Sequence, residues 1–142
     1  MRRILQTLLL LMLGGAAIAQ EPQPVGTISQ LMIDIIYPAS DAIFYAGRTT
    51  PLSTKDWEDL QRNALMVAES GNLLMMPSRA RDKEMWMKDA KMLVDAGAAA
   101  YKAAKAKDLD AVLALNDQLY NACVYCHEDY RPNYRKRSGR QQ

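Results

Sequence analysis

The stretch Cys123-Val124-Tyr125-Cys126-His127 decides how the rest of this 142-residue chain is interpreted. Residues three and four apart on an α-helix share one face, so a helix would present Cys123, Cys126 and His127 together. Two thiols on one face can each form a thioether with a porphyrin vinyl group, and the adjacent imidazole can bind the iron. The pattern C-x-x-C-H is therefore typical of covalent haem c attachment. We predict one haem c, held by Cys123 and Cys126, with His127, the only histidine, as an iron ligand.

Three other interpretations of the two cysteines are open. A dithiol redox motif lies at a helix N-terminus, where the dipole lowers a thiol pKa, whereas this motif closes a long helical pattern. A zinc site needs about four ligands, and the chain has two cysteines and one histidine. A disulfide between Cys123 and Cys126 could also form before haem is attached.

The first 19 residues have the composition of an export signal. Arg2 and Arg3 precede an apolar run over residues 4–13, and small residues ending at Ala19 follow. This order is that of a secretory signal peptide with its cleavage site, and the apolar run is shorter than the ~20 residues of a membrane span. We predict a cleaved signal peptide over 1–19, a periplasmic location, and no stable membrane span after cleavage.

Charge is divided unevenly along the chain. There are 18 Lys and Arg against 16 Asp and Glu, a formal net charge of +2. No acid follows Asp129 in the sequence, whereas five bases do: Arg131, Arg135, Lys136, Arg137 and Arg140. We predict one domain over 20–131 and a mobile basic tail over 132–142, either simply solvated or docking to an acidic partner or anionic lipid. Nothing in the sequence indicates nucleic-acid binding.

Apolar residues recur at helical spacing in four segments. Their predicted starts are Thr27, Ser53 or Thr54, residues 79–82, and Asp108. The first, second and fourth are predicted to end by Gly47, Pro77 and Pro132. Pro38 is expected to kink the first helix without ending it, and the predicted inner face of that helix is Ile28, Met32, Ile35, Ala39 and Ala42. Four such helices with short connections predict an all-α, up-down-up-down four-helix bundle.

A motif at the end of the last of four helices resembles the class II cytochromes c, the cytochrome c′ family and its low-spin relatives. The resemblance is carried by Met85-Trp86 with Asp89-Ala90, by Asp108-Leu109-Asp110, and by the haem motif followed by Tyr130-Arg131. It covers nearly the whole chain after the predicted signal and is strongest from residue 80. It implies a haem-binding bundle that carries electrons or binds small gases.

The sixth iron ligand separates those two functions. Only fifteen residues follow His127 and none is Met, so a downstream Met ligand is excluded. The resemblance implies that Met32, near the start of the first helix, binds iron as in the low-spin branch. A Met that only packs on the ring remains the alternative. Ile28 stands where pentacoordinate relatives often carry an Arg, which favours the low-spin branch.

The resemblance also implies roles for three further residues. Arg131 is expected beside the proximal side of the haem, where it could influence His127 or a propionate; a solvated cation favoured by the helix dipole is the alternative. Trp86 is expected to be a core residue packed near the porphyrin. Tyr130 is expected against the first helix or the haem edge.

These observations predict a periplasmic electron carrier that cycles between Fe(II) and Fe(III) with His/Met ligation. Its partners would be redox proteins that the sequence does not identify, and the resemblance allows a homodimer through the first two helices. The alternative is a five-coordinate protein that binds or senses NO or CO. An enzyme such as a peroxidase is not predicted, because no distal His or Arg is available to polarise peroxide.

Overall fold

The computed structural model describes residues 21–48, 50–131 and 134, and this part of the chain contains helices and no strand. Its four helices pack consecutively as an up-down-up-down bundle, which confirms the predicted fold class. Helix α1 runs through three continuous segments, Ile28–Gln30, Leu31–Ile36 and Tyr37–Phe44. Helix α2 is Thr54–Leu74, α3 is Met85–Ala106, and α4 consists of Leu109–Ala114 and Asn116–Tyr130.

Local sequence sets three of the helix starts. The side-chain oxygens of Thr27, Ser53 and Asp108 each accept the backbone N–H of the residue three positions later, at 3.1, 3.2 and 2.9 Å. These bonds satisfy amides that lack a partner in the first helical turn. The starts of α1, α2 and α4 predicted from the sequence are therefore confirmed.

The start of α3 predicted at residues 79–82 is wrong, because the helix begins at Met85. The Asp82 carboxylate accepts the backbone N–H groups of Glu84 and Trp86 at 2.9 and 3.0 Å. Those bonds hold the chain in a turn just before the helix. The end of α3 is marked by Lys107, whose φ of 56° lies in the left-handed region.

The other helix ends lie close to their predicted positions. Helix α1 ends at Phe44, and Gly47 lies in the short 3-10 turn Ala46–Arg48. Helix α2 ends at Leu74, three residues before Pro77. Helix α4 ends at Tyr130, and Pro132 lies outside the described residues.

The middle of α1 is a π-helix over Leu31–Ile36. Its hydrogen bonds join residues five apart, and the last of them runs from the Tyr37 N–H to the Met32 carbonyl. Pro38 follows directly; it has no N–H, and its ring crowds the preceding turn of an α-helix. The wider π turn relieves that crowding, so α1 continues through Pro38 as predicted.

The π segment changes which residues of α1 face the core. Leu31 and Ile36 are five positions apart, and both are 5% exposed. A straight α-helix would turn them to different faces, whereas the π turn keeps them together. The buried residues of α1 are Leu31, Ile36, Ala39, Ser40 and Ile43. Ala39 is buried as predicted, and Ile28, Met32 and Ile35 pack against the core while partly exposed. Ala42 is partly buried. The prediction missed the buried Leu31, Ile36 and Ile43.

Helices α2 and α3 form the most extensive interface of the bundle, because two glycines let their backbones touch. A Cβ placed on Gly97 would clash with the backbone nitrogen of Ala68 and lie 2.8 Å from its Cα. A Cβ on Gly71 would lie 2.9 Å from the backbone oxygen of Ala90. The small residues of α3 thus allow a close approach, which α2 makes at Gly97.

We expect Gly97→Ala to destabilise the protein despite the higher helix propensity of Ala. The added methyl group meets backbone atoms, so α2 and α3 must separate, at a net cost of about 1–3 kcal/mol in unfolding free energy. Urea unfolding followed by circular dichroism measures this cost. Gly26→Ala is the matched control, because a Cβ there would meet nothing closer than 3.5 Å. Equal stability of the two variants would contradict the prediction.

Candidate haem-attachment site

The C-x-x-C-H side chains lie along one face of the last turns of α4. Cys123, Cys126 and His127 are each partly buried, while Val124 and Glu128 on the adjoining face are buried. The two cysteines form no disulfide. Two thiols and one imidazole on one helical face are the donor set that a haem c requires, so these residues fit the predicted cofactor.

The two thiols lack the electrostatic character of a redox dithiol. Burial raises the pKa of the Cys123 thiol to about 11. Burial, followed by the negative charge of Asp89, raises the pKa of the Cys126 thiol to about 12. Catalytic dithiols depend on a thiol pKa lowered toward neutrality. Both cysteines are therefore protonated at neutral pH, which disfavours the dithiol interpretation.

The His127 imidazole is kept neutral by its surroundings. Burial and, to a smaller extent, the positive charge of Arg131 lower its pKa. Its ring meets the ring of Tyr134 edge to face, with the centroids 5.3 Å apart. The neutral imidazole is the form that binds a metal ion. The protonation state of His127 therefore suits an iron ligand.

Arg131 lies at the C-terminal end of α4 with an exposed side chain. Its backbone N–H donates to the His127 carbonyl at 3.1 Å, and its guanidinium carbon is 5.8 Å from the centroid of the Tyr134 ring. Arg131 therefore lies close enough to His127 for its charge to contribute to the lowered pKa of the imidazole. Its contact with a haem stays a prediction.

Trp86 is a core residue, 3% exposed, as predicted. Its indole N–H donates to the Leu74 carbonyl at 2.7 Å. Its ring packs edge to face against Tyr130, with the centroids 4.9 Å apart. Trp86 is therefore linked to the helix that carries the motif, and its contact with the porphyrin stays a prediction.

Met32 lies in the π segment of α1, half-buried and packed against the core. The main contact of α1 with α4 is made by Tyr37–Phe44, which follows Met32 along the helix. The structure thus groups Cys123, Cys126 and His127 with Arg131 and, through Tyr130, with Trp86. Ligation of iron by Met32 stays a prediction.

Two acidic residues near the motif were given no role by the sequence. Asp89 is 1% exposed, and its charge contributes to the raised pKa values of Cys126 and Tyr130. Asp89 follows Trp86 by three residues and directly precedes Ala90, so helical periodicity places its charge on the inner face of α3. This spacing could have identified Asp89 from the sequence. Asp82 accepts a hydrogen bond from the Tyr130 hydroxyl, 48 residues away, and no local pattern predicts such a pair.

Among the described residues, no group of three or more His, Cys, Asp and Glu side chains is arranged to bind a metal ion. No helix within 21–48 or 50–131 is both long and apolar enough to cross a membrane. The predicted signal peptide and, apart from Tyr134, the predicted basic tail lie outside the described residues. Comparison with protein-family models, curated proteins and solved structures gives no match.

We expect Trp86→Phe to lower the unfolding free energy by about 1–3 kcal/mol, because the buried Leu74 carbonyl loses its donor. Trp57→Phe is a matched control, because Trp57 is also buried. This substitution removes the same volume but no indole hydrogen bond to the carbonyl at a helix end. Denaturant unfolding of both variants measures the difference. A cost at Trp86 no greater than that at Trp57 would show that the hydrogen bond adds nothing.

Proposed function

We propose that this chain is a periplasmic c-type cytochrome that carries one covalent haem c and transfers electrons. One observation supports it above the others: Cys123, Cys126 and His127 share one partly buried face of α4, and the two thiols are unlinked. The bound haem would supply one-electron chemistry between Fe(II) and Fe(III). The periplasmic location rests on the sequence of residues 1–19.

Each residue of the motif has a distinct task in this proposal. Cys123 and Cys126 would hold one edge of the porphyrin through thioethers, which would prevent its dissociation. His127 would bind the iron with its neutral imidazole, from the same face of α4. Buried Trp86 and the Tyr130 ring against it give this end of the bundle apolar surface. Such surface limits water around the cofactor and influences its potential.

We propose that Met32 would be the second residue of the chain to bind the iron. It is half-buried on α1. Its side chain is long and unbranched, so a change of rotamer could bring the sulfur to the iron while the backbone stays in place. A thioether ligand favours the reduced iron and so raises the potential, which suits an electron carrier. The physiological partners would be redox proteins that meet the exposed edge of the site.

A second candidate function is binding of NO or CO by a five-coordinate iron. It is favoured by the position of Met32, which precedes the part of α1 that makes the main contact with α4. In that case Met32 packs beside the iron without binding it. The state of the sixth position therefore distinguishes the two functions.

We expect the haem to remain with the polypeptide after denaturation in acidified organic solvent, because two thioethers hold it. Cys126→Ala should leave one thioether, visible as a shifted alkaline pyridine haemochrome band, or abolish maturation. His127→Ala should remove the normal spectrum, since the sequence holds no other histidine. Free extraction of the haem from the unchanged protein would overturn the proposed function.

We expect Met32→Ala to open the sixth position of the iron. The ferric spectrum should become high-spin, the long-wavelength band of sulfur-to-iron charge transfer should disappear, ferrous CO binding should become faster, and the reduction potential should fall. Met92→Ala is the matched control, because Met92 is also partly buried against the core. An unchanged spin state in Met32→Ala, with rapid CO binding by the unaltered protein, would favour the gas-binding function.

A further inference from the structure

Tyr130, the last residue of α4, is held by contacts with two distant parts of the chain. Its hydroxyl donates to the Asp82 carboxylate in the loop between α2 and α3. Its ring packs edge to face on Trp86 in the first turn of α3. The end of α4 is therefore fastened where a helix terminus would otherwise fray.

Asp82 belongs to a chain of hydrogen bonds that crosses this end of the bundle. One of its carboxylate oxygens accepts the backbone N–H groups of Glu84 and Trp86, while the other accepts the Tyr130 hydroxyl. The Trp86 indole in turn donates to the Leu74 carbonyl, at the end of α2. Tyr130 is thus fixed to a loop that is itself fixed to α2 and α3.

The charge states of the pair keep this hydrogen bond intact. The bond from Tyr130, followed by the bond from the Trp86 backbone, lowers the pKa of the Asp82 carboxyl. Burial, followed by the bond to Asp82, raises the pKa of the Tyr130 phenol. The acceptor is therefore ionised and the donor protonated at neutral pH, which is the stronger, charge-assisted form of the bond.

His127 lies three residues before Tyr130, so the two share one face and almost one turn of α4. We propose that Asp82 and Tyr130 are positioning residues for His127, and that the hydrogen bond between them fixes the direction from which the imidazole meets the haem iron. This inference rests on the proposed cytochrome function. It assigns no contact with the iron to either residue.

The experiment is a double-mutant cycle on the haem-loaded protein. Tyr130→Phe removes the donor and keeps the ring on Trp86. Asp82→Ser keeps a short side chain that can cap α3 but does not reach Tyr130. Asp82→Asn is the substitute if the serine variant does not fold, because its amide oxygen can still accept the backbone N–H groups while an NH2 donor replaces the oxygen that accepts the Tyr130 hydroxyl. All variants are made in a Met32→Ala background, where His127 is the only axial ligand that the protein supplies to ferrous iron.

The measured quantity is the iron–histidine stretching band in the resonance Raman spectrum of the ferrous protein. We expect Tyr130→Phe to shift or broaden this band, and to have no further effect once Asp82→Ser is present. Tyr101→Phe is the control, because Tyr101 lies on α3 beside Lys105 and should leave the band unchanged. An unchanged band in Tyr130→Phe, or an equal change with and without Asp82, would overturn the inference.

Stability gives a second measurement of the same bond. Tyr130→Phe should reduce the folding equilibrium constant about tenfold with Asp82 present, and by much less without it. Protein that contains no covalent haem would refute the proposed function, and this unfolding cycle would then still test the Asp82–Tyr130 bond alone. Coupling in unfolding without any change in the iron–histidine band would limit the pair to a structural role and overturn the positioning of His127.

Discussion

The direct backbone contact between α2 and α3 is the constraint on which the rest of the bundle depends. Gly71 and Gly97 leave no space for a side chain between the two helices. Because protein interiors tolerate little change in volume, this contact fixes the distance and the offset of the pair. Helix α3 then presents Trp86 and Asp89 to α4 from a rigid support.

The candidate site joins a reactive face to a rigid end of the bundle. Cys123, Cys126 and His127 remain partly exposed, as attachment of the proposed haem would require. One turn further on, Tyr130 is bonded to Asp82 and packed on Trp86. In the proposed cytochrome, this arrangement would separate two needs: access for haem attachment, and a fixed direction for the histidine that binds the iron.

The sequence was sufficient wherever the determining interaction is local. Thr27, Ser53 and Asp108 cap their helices through residues three positions away, and the C-x-x-C-H spacing alone places three side chains on one face. It was insufficient where distant residues meet. The late start of α3 depends on Asp82, whose partner Tyr130 is 48 residues away. The buried face of α1 was predicted with a uniform helical period, and the π segment does not have that period.

The π segment also affects how α1 can be compared with other helices. The π segment adds one residue relative to a regular α-helix. If α1 is aligned with a regular helix, an alignment anchored at Thr27 and one anchored at Pro38 therefore differ by one residue. A pairwise alignment therefore needs a one-residue gap between Leu31 and Ile36 to keep both buried faces in phase. Met32 lies inside that interval, so its counterpart in another bundle is found by structural superposition of the buried residues, and not by counting along the chain.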